Sequence, residues 1–275
     1  MIAEFAAAKI NLALHVLGRR ADGYHELDSV VAFADVGDML TLEPAMQTTL
    51  SVDGAFAAAV PATPDNLVLK AYAALHAIHP LQPVSFHLTK TLPVASGIGG
   101  GSADAAAALR GLIRMQNITL DPGTLQTIAL SLGADVPVCL HGKSCRMRGV
   151  GEQITNLGSA TPHVILLVNP QQACSTADVF GSMGLKPGDR LGSELNPLHP
   201  SQWRNDMTEA ACQVLPVIGE VLKSLERMPD ARAVRMSGSG ATCFATFDSV
   251  EHVEGAWEMM QASHPQWWSA AARLG

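Results

Sequence analysis

Lysine is scarce in this 275-residue sequence, and acidic residues outnumber basic ones. Against 25 Asp and Glu stand 18 Lys and Arg, a formal net charge of −7. No run of like charge stands out. A surface that follows nucleic-acid phosphates needs a basic patch, so nucleic acid is not an expected partner. Cysteine is sparse as well. Cys139, Cys145, Cys174, Cys212 and Cys243 are scattered, with no C-x-x-C pair. That spacing argues against zinc and dithiol redox sites and for reduced, packed thiols, Cys139 among them. No apolar run approaches the roughly 18–20 residues of a membrane span. The apolar N-terminal stretch is interrupted by Glu4, Lys9 and Asn11 and lacks the basic start of a signal peptide. The expectation is a cytoplasmic protein with no membrane partner.

What is present is an ordinary globular balance, 48% apolar and 16% charged residues, in a chain long enough for one large domain or two ordinary ones. No repeat or low-complexity linker breaks it. Ile10, Leu12 and Leu14 alternate with Asn11, Ala13 and His15, which is strand periodicity. "GRRADGYHEL" reads as a turn-rich loop hinged at Asp22-Gly23. "DSVVAFADVGDMLTLEP" and "TTLSVDG" read as short strands separated by Gly and Pro. "LVLKAYAALHAIH" has helical spacing, with Asp65 or Asn66 as N-cap. "PVSFHLTKTL" is a strand, and helices are expected over 105–113 and 123–132. "HVILLVNP" reads as a buried strand. A helix over 207–225 contains Pro216, which kinks or splits it. "ARAVRMSGSGATCFATF" reads as strand, glycine turn, strand.

The stretch "PVASGIGGGSADAAAALRGL" carries the chemistry. Four glycines fall between Gly97 and Gly101, directly before an alanine-rich helix. A Walker A pattern requires Gly-Lys before Ser or Thr, and the loop has no lysine. A dinucleotide fingerprint begins at Gly97-Ile98-Gly99 but meets Ser102 where its last glycine belongs. The physics still favours an anion. A helix N-terminus carries unpaired N–H groups and about half a positive charge, and glycines let that backbone approach a phosphate. Ser102 either caps the helix or helps hold a phosphate or a metal.

Three stretches in order, "AKINLAL", this glycine loop and "SGSGAT", resemble the motifs of the GHMP small-molecule kinases. "DGYHEL", "LGADVPVCL" and "RGVGEQI" narrow the resemblance to the branch whose acceptor is 4-diphosphocytidyl-2-C-methyl-D-erythritol. The resemblance implies an α+β, two-domain fold: a ribosomal-S5-like N-terminal domain and a ferredoxin-like C-terminal domain. It divides the chain into an ATP-binding domain, 1–158, and a C-terminal domain, 159–275. It implies transfer of the ATP γ-phosphoryl group to a 2-hydroxyl, with Mg²⁺ as cofactor and a substrate carrying cytidine diphosphate as partner, in a monomer or weak homodimer. The alternatives are another kinase of the family, against which "DGYHEL" speaks, and a metabolite sensor on the same fold, against which the retained Lys9 and Asp135 speak.

The same resemblance assigns roles. Asp135 is the general base and Lys9 its cationic partner. Pro93, Val94, Ala95, Ser96, Gly97, Ile98, Gly99, Gly100, Gly101, Ser102 and Ala103 form the ATP loop, and Asn66 and Lys90 belong to the adenine pocket. Asn11 contacts the acceptor region, and Tyr24 and His25 read the cytosine. Phe180 closes the base sandwich and Thr176 contacts substrate nearby. Gly238, Ser239 and Gly240 approach the phosphates or the substrate diphosphate. Ala95-Ser96 and Ile98 depart from the commoner spellings, and Ala103 stands where a second serine is frequent. That last change removes one hydroxyl from any metal site, for which Ser102 and Asp104 are the candidates.

Overall fold

In the computed structural model, which describes residues 1–158 and 164–275, β1 runs unbroken over Ile2–Arg19. It pairs with β2, His25–Pro44. The stretch 28–44, expected as a short strand, is part of this one long strand. Gly37 sits inside the strand and is needed there for space: a Cβ would collide with the Ala6 carbonyl oxygen and lie 2.8 Å from the Phe5 ring. The expected loop shrinks to a turn over residues 20–24. There Asp22 Oδ1 accepts from the Tyr24 N–H at 3.1 Å, and Gly23 takes φ +91°.

The chain divides into two compact units that interleave in sequence. One comprises 1–8, 36–94 and 99–142; the other comprises 9–35, 95–98 and 143–275, as far as described. The boundary expected at 158/159 adjoins residues 159–163, which lie outside the described residues, as does His163 of the expected strand.

In the first unit β3 (Thr49–Asp53) runs parallel to β4 (Val84–Thr89), which pairs antiparallel with Met39–Pro44 of β2. Helix α1, Leu67–His76, makes the crossover, and Asn66 Oδ1 caps it by accepting from the Val68 N–H at 2.9 Å. Such a cap contributes about 1 kcal/mol. Next come α2, Gly100–Met115; α3, Pro122–Leu132; and the short α4, Val136–His141. Helix α2 is longer than alanine spacing alone suggests. Small residues from Ala103 to Ala108 bury all round, so the helix sits in the core instead of on it.

The second unit holds β5 (Cys145–Gly149) and β6 (Gln153–Asn156) beside the first part of β2, and a separate antiparallel sheet. That sheet is formed by β7 (Val164–Asn169), β8 (Val234–Met236), β9 (Cys243–Phe247) and β10 (Trp268–Arg273), ordered β10-β7-β9-β8. Pro216 splits the expected long helix into α6, Thr208–Val214, and α7, Val217–Glu226; α5 is Thr176–Ser182 and α8 is Val250–Ser263. Taking α7 and α8 as the crossovers, the order is β-α-β-β-α-β, the ferredoxin-like arrangement. One face of the sheet supplies Leu166, Val168, Ala245 and Phe247 to a core shared with Ile218, Val221 and Leu225 of α7 and Val253, Ala256 and Met260 of α8. The i, i+3, i+7 spacing on both helices places each apolar stripe on that face.

Gly37→Ala should therefore lower stability by about 1–3 kcal/mol, the usual cost of overpacking a filled site. Urea unfolding checks it, and an unchanged midpoint would remove the space argument at Gly37.

Candidate active site

The glycine loop leaves β4 at Lys90 and enters α2 at Gly100. Gly97 and Gly99 take φ of +76° and +67°, and Ala95 takes +50°. Gly99 is the N-cap of α2 and no side chain caps the helix. The first-turn N–H groups are thus left to a ligand or to water. Gly97 also meets a second turn. A Cβ there would collide with the Ser237 carbonyl and lie 2.7 Å from that of Gly240; a Cβ on Gly238 would lie 2.6 Å from the Gly97 carbonyl. Two hydrogen bonds fasten the approach. Ser237 Oγ donates to the Gly97 carbonyl at 3.0 Å, and the Thr242 N–H donates to the Ser96 carbonyl at 3.0 Å.

The turn at Ser237–Thr242 is held from behind. Asn205 Nδ2 donates to the Met236 and Gly238 carbonyls, both at 2.8 Å. Asn169 Nδ2 donates to Thr242 Oγ1 at 2.9 Å. Thr176 Oγ1 and Ser239 Oγ are hydrogen-bonded at 2.7 Å, either hydroxyl able to donate, joining α5 to the turn. The structure brings Thr176 together with Ser239, and Gly97 with Gly238 and Gly240, as partners in one backbone platform.

Lys9 lies buried on β1 in the same unit. Its Nζ donates to Asn11 Oδ1 at 2.8 Å; Asn11 Nδ2 donates to Ser29 Oγ at 2.8 Å, which donates to the Ala13 carbonyl at 2.6 Å. The Asn11 N–H donates to Ser237 Oγ at 3.1 Å. The chain of donors fixes which way the Asn11 amide faces, and so where the ammonium sits. At the turn after β1, His25 stacks on Phe180 with ring centroids 4.1 Å apart, while Tyr24 is exposed. Burial, and then the Arg19 charge, lower the His25 pKa, so its ring is neutral at pH 7.

The first unit holds the remaining residues. Asp135 stands at the N-cap of α4 and is half-buried. Asn66 is engaged in its own cap, with Nδ2 donating to the Pro61 carbonyl at 3.0 Å. Lys90, assigned to the adenine pocket by resemblance, is buried at 2% exposure. Its Nζ donates to Asp38 Oδ2 at 2.5 Å and to Asp104 Oδ2 at 2.7 Å. Asp38 Oδ1 accepts from the Thr91 and Leu92 N–H groups at 2.6 and 2.9 Å, gripping the start of the loop. A Cβ on Gly100 would lie 3.1 Å from Lys90 Nζ. The ion cluster thus underlies the first residue of α2. Burial works to lower the Lys90 pKa, but the Asp104 and Asp38 charges prevail and hold it above its ordinary value. Burial pushes Asp104 up to about 7 against the pull of Lys90, and its Oδ1 is buried without a hydrogen-bond partner. Asp104 thus spends one carboxylate oxygen on Lys90.

Nothing in the sequence singled out Asp38, Ser29, Asn205 or Asn169. Each acts through a backbone carbonyl, an amide or a partner far off in the chain, and such partners have no local spacing.

Residues 66–143 match the family model of the GHMP kinases N-terminal domain, and residues 189–266 match that of the GHMP kinases C-terminal region. A 4-diphosphocytidyl-2-C-methyl-D-erythritol kinase of Bradyrhizobium diazoefficiens is 46% identical over 290 aligned positions, covering 98% of this chain and 97% of the relative. The chain belongs to the 4-diphosphocytidyl-2-C-methyl-D-erythritol kinase family of GHMP kinases. A crystal structure of 4-(cytidine 5'-diphospho)-2C-methyl-D-erythritol kinase superposes with a TM-score of 0.82 at 31% identity, covering 100% of this chain and 99% of the other. A homoserine kinase from Cytophaga hutchinsonii superposes at 0.71 with 16% identity, covering 98% of this chain and 94% of the other, and shares the fold. As a GHMP kinase the chain is an enzyme, a small-molecule kinase with an alcohol acceptor. No helix among the described residues is long and apolar enough to cross a membrane.

Lys90→Met should cost about 3–5 kcal/mol, the scale for leaving buried charges without their partner. A loss below about 1 kcal/mol in equilibrium unfolding would show the cluster to be dispensable. Linkage fixes the pH sign. Asp104 keeps its proton to about pH 7 when folded, against 3.8 for the free group. The folded chain then binds more protons between those values, so this group's contribution falls as pH rises from about 4 to 7 and levels off above. Asp104→Asn should flatten that slope; an unaltered slope between about pH 4 and 7 would place the proton elsewhere.

Proposed function

We propose that this chain transfers the γ-phosphoryl group of ATP to the 2-hydroxyl of 4-diphosphocytidyl-2-C-methyl-D-erythritol, giving the 2-phosphate and ADP. The observation that carries this reading is the uncapped, glycine-lined start of α2 in a chain 46% identical to a kinase of that name. Without a Walker lysine, the backbone N–H groups of residues 97–103 and the α2 dipole hold the triphosphate. Pro93, Val94, Ala95 and Ser96 shape the entry to the loop. Asn66 and Lys90 border the nucleotide. For both, the adenine role rests on family resemblance, since their polar ends are engaged within the protein.

Phosphoryl transfer is positioning plus charge stabilisation. Asp135 accepts the proton of the acceptor hydroxyl as its oxygen bonds to the γ-phosphorus and the bond to ADP breaks. Lys9, aimed by Asn11 and Ser29, stabilises charge on the moving phosphoryl group. Tyr24, His25 and Phe180 receive the cytosine. A neutral His25 offers one donor and one acceptor to a base edge. Thr176, Gly238, Ser239 and Gly240 line the substrate diphosphate. Among the described residues no group of three or more His, Cys, Asp or Glu side chains could hold a metal ion. Mg²⁺ is commonly bound through substrate phosphates and water with few protein ligands, and Ser102 suits that arrangement. When bound, the ion neutralises phosphate charge. We assign 1–158 to the ATP-binding domain and 159–275 to the C-terminal domain, in a cytoplasmic monomer or weak homodimer.

ADP release from the cytidylyl substrate, beside mevalonate and homoserine, tests the reaction; turnover confined to a control alcohol would displace the substrate and keep the kinase. Asp135→Asn should lower kcat at least ~100-fold with ATP binding retained, and near wild-type turnover would strike Asp135 as base. Tyr24→Ala should raise KM for the cytidylyl substrate far more than KM for ATP. Equal changes would remove Tyr24 from the base pocket.

A further inference from the structure

Arg110 lies in α2, ten residues past the glycine start, and its guanidinium reaches three separate groups. Nε donates to Glu4 Oε2 at 3.0 Å, Nη2 to the Phe5 carbonyl at 2.9 Å and Nη1 to the Cys139 carbonyl at 3.2 Å. The other Glu4 oxygen takes Arg114 Nη2 at 3.0 Å, and Arg114 also donates to the Ala3 carbonyl at 3.1 Å. Cys139 belongs to α4, a helix of six residues whose N-cap is Asp135. A helix that short has little stability of its own. Its last carbonyls lack intrahelical partners, and a cation there also complements the helix dipole. The Cys139 N–H in turn donates to the Asp135 carbonyl at 3.1 Å. One guanidinium therefore joins the helix that begins at the ATP loop, the strand that leads to Lys9 and the helix that begins at Asp135.

We propose that Arg110 is a positioning residue for phosphoryl transfer. By holding the C-terminal turn of α4 against α2 and the first residues of β1, it fixes the direction in which Asp135 presents its carboxylate. The inference rests on the reading of Asp135 as the base. The three acceptors meet three different nitrogens of one planar guanidinium, a spread that the three donors on a lysine's single nitrogen do not reproduce.

The test is a double-mutant cycle on the full chain. Arg110→Met and Arg110→Lys are made in the wild type and in Asp135→Asn, with kcat, both KM values and thermal unfolding measured. The expected result for Arg110→Met is a kcat loss of about 10- to 100-fold, the scale of a misplaced catalytic group. Both KM values stay within about twofold, and lysine does not rescue. In the Asp135→Asn background the same change costs less than about twofold, because the group it aims is gone. Equal losses in both backgrounds, or full rescue by lysine, overturn the proposal. If Arg110→Met does not fold, Glu4→Gln serves. It keeps the arginine and its two carbonyl contacts but loosens the fork, and should lower kcat in the same direction by a smaller factor. Unchanged kcat in Glu4→Gln would overturn the proposal as well. Wild-type turnover in Asp135→Asn alone strikes the base reading, and is seen without any Arg110 variant.

Discussion

The approach of Gly97 to the turn at Ser237–Gly240 leaves no room for a Cβ atom on either side of the contact. The rest of the site depends on that closeness. The backbone-amide cradle we propose for phosphate has no long side chain to adjust its reach. Its donors must be placed by the path of the chain itself, and that path has to be held from outside. Ser237 Oγ holds the Gly97 carbonyl and accepts from the Asn11 N–H. Asn11 in turn holds the Lys9 ammonium. The glycines at 97 and 238 are thus required twice, for positive φ and for close packing.

The ion cluster at Lys90 solves a related difficulty in the other compact unit. Gly100 opens α2 with no side-chain cap, so the helix start needs support from beneath. Asp38 provides it by accepting from two loop N–H groups while pairing with Lys90. Two carboxylates against one ammonium in a buried place cannot all stay charged at little cost. The raised Asp104 pKa is the outcome. The lysine absent from the loop's sequence has a counterpart under the loop, but its charge is largely spent on its own partners.

Much of this was legible in the sequence, and the illegible parts have physical reasons. Alternation about Ile10–Leu14 announced β1, and Pro216 announced the split between α6 and α7. The glycine run announced a sharp strand-to-helix turn, and Gly97 and Gly99 take positive φ there. The need for Gly37 was not legible, because glycine marks a turn by its freedom or a strand by its lack of a side chain, and only the neighbouring Ala6 carbonyl decides between them. The ion pairs of Lys90 were invisible because its partners stand 52 and 14 positions away. Ser29 and Asn205 were invisible, since a side chain that braces a distant backbone leaves no periodic trace.

The central claim is that phosphate binding here is a property of backbone geometry set by the Gly97 contact. Calorimetric titration of ATP into Gly97→Ala tests it most directly, with circular dichroism to show that the fold is retained. The account predicts a folded protein whose ATP affinity falls at least about tenfold, because the methyl group must push the loop away from the Ser237–Gly240 turn and move its amides. Wild-type affinity in that folded variant would contradict it.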